Sequence, residues 1–428
     1  VERPLHIAFV AYRGNMQCGG QGVYLWFLAR ELTRLGHRVE VFVGPPYPDP
    51  MPFADAVDTL PNRMHWARWF TRDYAGMVPP EAPLSALAPL NLYEMGASRL
   101  GFLPEPFAFS CRALRRLAGR LRAGARWDLV HDVQCLGYGL LGLRSMGLPV
   151  VTTVHHPLTV DRRASFIRDT TFTDVLGTMQ FYPIGMQSFV ARRLDRILTS
   201  SEESARTIAR DFGVGPDHIA NVWNGIDTEL FSPDPAVQRS EAELLCIGRA
   251  SDPNKGIRGL VEAVARLPEN TKLTLVDSDH PDNPVFKWAR AAGLGERLNV
   301  VGRVPTEELV RLYRRATLVV VPSRYEGFGL PAVEAMSCGT PVVACAAGAL
   351  PEVMRMGGGG ILVPRDRPEA LAKGVLGLLE QPETRRELGA RARERVVATF
   401  SWRPVAEATV AVYRDVLEER RLGRASRR

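Results

Sequence analysis

The chain predicts an α/β protein made of two doubly wound halves, each a parallel sheet covered by helices. Three observations carry that expectation. Apolar runs of strand length alternate with helix-spaced segments from Leu5 onward, the pattern of successive βαβ units. A Pro/Asp/Ser-rich stretch over 224–240 interrupts the alternation and reads as a domain junction. A second alternating run then starts at Glu243. A length of 428 residues accommodates two such domains.

The elements follow in order. Leu5–Tyr12 is an apolar strand, and the loop 13–22 after it carries Gly14, Gly19, Gly20 and Gly22. Over 23–35 the spacing of Leu25, Leu28, Leu32 and Leu35 gives a helix one apolar face, and Gly36 ends it before the strand 38–43. Residues 45–110, rich in proline and aromatics, lack clean periodicity and are expected to be irregular with short helices. Alternation then resumes: strand 128–131, helix 136–146, strand 149–154, helix 173–193, strand 196–200 and helix 202–212. The second half reads as strand 244–247, helix 259–267, strand 272–276, helix 285–292, strand 298–301, helix 306–315, strand 318–321, helix 331–338 and strand 341–344. A last helix, 404–419, follows a break at 400–404.

Composition narrows the function classes. With 46% apolar and 24% charged residues the chain is ordinary for a soluble globular protein. No apolar run approaches the roughly 20 residues of a membrane span. A strand begins almost at the N-terminus, so no signal peptide is expected. Cys18, Cys111, Cys135, Cys246, Cys338 and Cys345 are scattered without a C-x-x-C pair, which suggests neither a zinc site nor a redox couple and fits a reducing cytoplasm. A net charge of +7 permits an anionic ligand or membrane surface and is too mild to imply nucleic acid. Arg112, Arg115, Arg116, Arg120, Arg122 and Arg126 interleave with Phe107, Phe109, Leu114, Leu117 and Leu121. That segment reads as a helix packing its apolar face on the core; a basic helix lying on anionic lipid is the alternative.

The chemistry-bearing residues concentrate in the second half. The strand 318–321 leads into Ser323-Arg324-Tyr325-Glu326-Gly327-Phe328-Gly329-Leu330-Pro331, and Pro331 suits the first turn of a helix. Backbone N–H groups of Gly327, Phe328, Gly329 and Leu330 would face a ligand over the helix start, where an anion is favoured. Glu326 opens this loop and Glu334 lies about one turn into the helix, so one pocket could hold a phosphate on amides and hydroxyl groups on carboxylates. That combination suits a nucleotide sugar. Gly248-Arg249 ends the strand 244–247, and Lys255-Gly256 precedes the next helix. Arg249 and Lys255 could converge on a diphosphate, one as a bidentate fork and the other as a point charge; two solvated charges are the bland alternative.

Other candidates are more ambiguous. Gly19-Gly20-Gln21-Gly22 sits where a dinucleotide fingerprint would, without completing G-x-G-x-x-G, and is either a tight turn or a place of close backbone approach. His155 and His156 end the strand 149–154, in ligand territory, and adjacent side chains point apart, so at most one faces a ligand. His131 is a weaker candidate of the same kind. Asp277-Ser278-Asp279 has a spacing used to hold a metal on a diphosphate, and equally the composition of a plain turn.

Taken together, the chain resembles a retaining GT-B glycosyltransferase of family 4. The resemblance rests on Gly19-Gly20, Val154-His155, Asn224-Gly225-Ile226-Asp227 with Phe231, Gly248-Arg249 with Lys255-Gly256, Gly302-Arg303-Val304, and the E-x7-E element from Glu326 to Glu334. It implies two Rossmann-like domains facing a cleft: an acceptor-side domain over 1–223, completed by a crossover helix in 404–428, and a donor-binding domain over 224–403. It further implies that Arg249 and Lys255 neutralise the donor diphosphate, that Glu326 contacts the donor sugar and Glu334 the ribose, and that the Val304 backbone meets the base. His155 would face the transferred sugar, and Gly19 and Gly20 would allow close approach to the donor. The implied reaction moves a sugar from a nucleoside diphosphate to a small-molecule, glycan or lipid acceptor with retention of configuration and without a metal or cofactor. A sugar-nucleotide epimerase, a phosphorylase and a non-catalytic nucleotide-sugar-binding protein are the competing expectations. The turn at 277–281 departs from the glycine-rich turn of the family.

Overall fold

The computed structural model describes residues 3–16, 20–62, 83–100, 102–155, 159 and 184–425. They group into two compact units. One takes the described residues of 1–200, 204–222 and 406–428, the other 201–203 and 223–405.

Strands β1 (His6–Ala11), β2 (Arg38–Val43), β3 (Ala56–Thr59), β4 (Leu129–Val133), β5 (Val150–Thr153), β6 (Arg196–Thr199) and β7 (Ile219–Asn221) form the sheet of the first unit. All pairs are parallel, in the order β3-β2-β1-β4-β5-β6-β7, so the progression of the strand order reverses between β1 and β4. β1 is buried on both faces, which is why its run reads as unbroken apolar sequence rather than alternation. The helices described here are α1 (Gly20–Arg34), α2 (Pro89–Arg99), α3 (Glu105–Arg122), α4 (Gly139–Ser145), α5 (Ile184–Ala191) and α6 (Glu202–Phe212).

The arginine-rich segment is α3, which buries Ala108, Phe109, Ala113 and Leu117 in the core. Three of its arginines are answered by acids: Arg112 bonds Glu94 at 3.0 Å, Arg116 reaches Asp58 at 2.5 Å and Arg120 reaches Glu40 at 2.6 Å. The helix is thus packed and ion-paired on the unit itself.

Some local expectations change. The stretch 45–110 contains β3, a four-residue edge strand with alternating exposure, as well as α2 and the start of α3. Such a strand is too short and too wet to stand out by periodicity. The residues 63–82 within that stretch lie outside the described residues. The helix expected from 136 begins only at Gly139, because Gln134 and Leu136 adopt left-handed φ values of 55° and 50°. Asp132 fastens this turn: its Oδ2 accepts the N–H groups of Cys135 and Leu136 and the hydroxyl of Thr152. Of the helix expected over 173–193 only α5 is described.

The second unit holds β8 (Glu243–Ile247), β9 (Lys272–Val276), β10 (Leu298–Val301), β11 (Leu318–Val321), β12 (Val342–Cys345) and β13 (Gly360–Val363), parallel in the order β10-β9-β8-β11-β12-β13. Its helices are α7 (Ile257–Val264), α8 (Pro284–Ala291), α9 (Thr306–Arg315), α10 (Leu330–Ser337), α11 (Leu350–Gly357), α12 (Pro368–Leu379) and α13 (Pro382–Phe400). The switch lies between β8 and β11, so the loops leaving their carboxyl ends are neighbours.

The Asn224–Asp227 motif has a structural explanation within this unit. Ile226 pairs with Ser401, and its N–H donates to the Phe400 carbonyl at 2.7 Å. A Cβ on Gly225 would lie 2.3 Å from the Trp402 ring, so only glycine fits beneath it. Asp227 Oδ1 accepts the N–H groups of Glu229 and Leu230.

The last helix, α14 (Trp402–Ala425), starts two residues before the expected Pro404, which is tolerated in a first turn. From residue 406 it belongs to the first unit, where Tyr413 hydrogen-bonds to His131 Nδ1. His131 Nε2 lies 2.7 Å from the Thr153 hydroxyl. Burial, with His155 nearby, pushes the His131 pKa down to about 3, so the ring is neutral and serves the core. Among the described residues, no helix is long and apolar enough to cross a membrane.

Candidate active site

The loop after β8 and the loop after β11 interlock at the switch point. Gly256 takes a left-handed φ of 64°, and a Cβ there would lie 2.1 Å from the Pro322 carbonyl oxygen. The Arg324 N–H donates to the Asn254 carbonyl at 2.7 Å. Asp252 organises the short turn before Lys255, accepting the N–H of Asn254 on its side chain and that of Lys255 on its carbonyl.

This interlocking brings Lys255 and Glu326 together. Lys255 Nζ is 2.7 Å from Glu326 Oε1, and the Ser323 hydroxyl donates to the same oxygen at 2.8 Å. The pair is largely sheltered, with 27% of the lysine and 11% of the glutamate side chain exposed. The Glu326 backbone is clamped as well: its carbonyl accepts the Ala349 N–H at 2.9 Å, and Gly348 lies so close that a Cβ would be 2.2 Å from that oxygen.

The rest of the loop is held by its ends. Ser201 donates to the Gly327 carbonyl, and Phe328 is buried against Phe400. Gly329 caps α10 with φ 96°, and Pro331 sits in the first turn. Among the described residues, no acceptor takes the N–H groups of Phe328, Gly329 or Leu330. An oxyanion over this helix start would meet converging amides.

Glu334 projects from α10 and accepts a hydrogen bond from the Tyr313 hydroxyl at 2.5 Å. Burial pushes its carboxyl pKa up to about 7, against a smaller lowering by Tyr313. The Tyr313 phenol is pushed well above its ordinary value by burial and the neighbouring carboxylate. Arg249 behaves differently: its side chain is 76% exposed and pairs at 3.8 Å with Asp252 rather than with Glu326. Val304 is half-buried between β10 and α9.

Asp277 is a turn organiser. Its Oδ2 accepts the Ala250 N–H at 2.7 Å and Asn283 Nδ2 at 2.8 Å, and its Oδ1 accepts the Ser278 N–H. The Asp279 carboxylate lies beside Gly302. Among the described residues, no three His, Cys, Asp or Glu side chains gather as a metal site.

In the first unit, the His155 N–H donates to Gln134 Oε1 at 3.0 Å, and its ring meets Tyr24 edge-on at 4.8 Å. His156 and Gly19 lie outside the described residues. Gly20 is the first residue of α1, and a Cβ there would meet nothing within 4 Å. The close approach in this loop falls instead at Gly22, where a Cβ would lie 2.2 Å from the Asn15 carbonyl oxygen. Sequence spacing singled out neither Tyr313 nor Gly348, whose roles depend on contacts made only in the folded chain.

Comparison with known proteins adds independent weight. Residues 227–395 match the model of glycosyl transferases group 1, and residues 18–230 match that of glycosyltransferase family 4. The chain is 40% identical to an MMP alpha-(1->4)-mannosyltransferase of Mycolicibacterium hassiacum, over 96% of this chain and 98% of the relative. It is 30% identical to D-inositol 3-phosphate glycosyltransferase 1 of Catenulispora acidiphila, over 96% and 94%. Among solved structures it resembles HepE of Anabaena in complex with UDP, with a TM-score of 0.68, 18% identity, and coverage of 96% of this chain and 100% of that one. The chain belongs to glycosyltransferase family 4, and it is a glycosyltransferase with the GT-B fold of two Rossmann-like domains.

Proposed function

We propose that this glycosyltransferase takes its sugar from a nucleoside diphosphate donor and transfers it with retention of configuration, without a metal ion. The observation that carries the reading is the Lys255–Glu326 pair beside the open amides of Phe328, Gly329 and Leu330, with Glu334 one turn further along α10. The lysine and the amides suit a diphosphate, Glu326 suits sugar hydroxyls and Glu334 suits ribose hydroxyls. Arg249, free to swing from solvent, adds a second cation, and the Val304 backbone meets the base. Mannose is the first sugar to test, given the mannosyltransferase relative.

In the transfer step the bond from the anomeric carbon to the diphosphate oxygen breaks, and a bond to the acceptor oxygen forms on the same face. The acceptor proton passes to the departing diphosphate. Negative charge grows on that diphosphate, where Lys255 and the α10 amides stabilise it. An ammonium has three donors, so Lys255 can keep Glu326 while binding a phosphate oxygen. With its Oε1 held by Lys255 and Ser323, Glu326 acts as a hydroxyl acceptor rather than a covalent nucleophile.

The test is a binding screen of GDP-, UDP- and ADP-sugars in the presence of a chelator, followed by transfer assays and an NMR assignment of the product anomer. Failure of every nucleotide sugar to bind would overturn the reading, and an inverted anomer would overturn its stereochemistry.

The protonation of Glu334 supplies a further prediction. Ribose hydroxyls donate best to a carboxylate, and this carboxyl titrates at about 7. Donor affinity should therefore rise from pH 6 to pH 8 and level off above. Glu334→Gln should weaken binding and remove the rise, as read by calorimetry with an intact nucleotide sugar, whose doubly esterified diphosphate does not titrate in that window.

A further inference from the structure

We propose that Tyr313 is a positioning residue for the donor nucleotide: its phenol donates to one oxygen of Glu334, fixing the carboxyl and leaving the other oxygen for the ribose. The inference rests on the nucleotide reading of Glu334 given above.

Tyr313 is built into the core while its hydroxyl is not spent there. The residue is fully buried on α9, its ring packs on Phe231 at 5.9 Å, and its carbonyl accepts the Thr340 hydroxyl at 2.7 Å. The phenol then reaches across to Glu334 on α10 at 2.5 Å. Among the described residues this is the only hydrogen bond the Glu334 carboxyl receives. A phenylalanine would fill the same volume, so the hydroxyl has a job that packing does not explain.

The surrounding charges do not perform that job. Arg239 donates to the carbonyls of Ala316, Cys338 and Gly339 and to the Thr340 hydroxyl. Arg393, from α13, donates to the carbonyls of Thr228, Phe231 and Ser337. Arg314 binds Leu230, Ser232 and Asp234. On α11, Glu352 accepts the N–H groups of Glu202 and Glu203. Cys338, which caps the end of α10, and Cys246 on β8 are pushed up to about 12 by burial and stay neutral near pH 7. Glu334 is left as the group that titrates near neutrality at this spot, opposed in its burial by a single donor.

The sign follows. Burial raises the Glu334 pKa and Tyr313 lowers it, so losing the hydroxyl raises it further. Tyr313→Phe should raise the donor KM about three- to tenfold at pH 7 with little change in kcat. The wild-type value should return by about pH 9, and the midpoint of the KM–pH profile should move to higher pH. Replacing Tyr313 with 3-fluorotyrosine, a stronger donor of nearly the same size, should move the midpoint the other way; it also covers the case in which Tyr313→Phe melts early. A Tyr313→Phe enzyme with unchanged KM, or with a loss equal at every pH, overturns the inference. If Glu334→Gln binds donor like wild type, the nucleotide reading of Glu334 itself is at fault.

Discussion

Replacing Lys255 with alanine should lower glycosyl transfer by about 10²–10³-fold, the scale of losing one preorganised donor to a developing oxyanion. Lys255 sits at the end of a turn fixed by Asp252 and Gly256, so its ammonium is placed before any ligand arrives. It also holds Glu326 Oε1 at 2.7 Å. Its removal therefore strips charge from the phosphate position and loosens the carboxylate meant for the sugar. The fold should survive. Glu326 keeps its bond from Ser323, and part of its side chain stays in contact with water. A melting temperature within a few degrees of wild type, with kcat/KM down by at least two decades, is the expected pair of readings. A folded Lys255→Ala enzyme turning over near the wild-type rate would show that the charge is not used.

The second large effect is expected at a residue with no functional group. Gly348 adopts φ 54°, and a Cβ would sit 2.2 Å from the Glu326 carbonyl oxygen and 2.7 Å from its nitrogen. Alanine in that conformation costs roughly 1–2 kcal/mol before any collision. The collision involves backbone, which cannot swing away as a side-chain tip would. Gly348→Ala should thus destabilise the second unit by about 2–4 kcal/mol. It should also push Glu326 off its place, and a displacement of about 1 Å can cost 10²-fold in rate. Denaturant titration and steady-state kinetics read the two losses separately. Gly248→Ala is the internal contrast: its Cβ would meet Lys255 at 3.4 Å, ordinary contact, and should be tolerated within about 1 kcal/mol. Equal damage from both substitutions would remove the special role given to Gly348.

Much of this was legible before any coordinates. The central strands β1, β8 and β11 are sheathed on both faces, so their apolar runs are plain in sequence. Lys255 and Glu326 were each legible as candidates, in loops that follow apolar strands, but their direct pairing depends on β8 lying beside β11, which only the folded chain shows. Edge strands β3 and β7 were not, being short and partly exposed. Tyr313 was hidden for a different reason. A tyrosine in a helical pattern looks like core, and it is core, with only its terminal oxygen committed elsewhere. Gly348 left no mark because closeness of two backbones has no periodic trace; within the Gly19-Gly20-Gln21-Gly22 run the close approach falls at Gly22, whereas Gly20 faces open space.

The mutual fastening of the 248–256 and 322–329 loops has a consequence for anyone wishing to re-engineer this catalyst. With Gly256 wedged under Pro322 and Asn254 tied to Arg324, the two segments form one stiff jaw, and substitutions in either will be transmitted to the other. Libraries aimed at new leaving groups or new sugars should leave that jaw untouched. They should randomise the peripheral turn at 278–282, whose exposed side chains can be exchanged without prying the jaw apart.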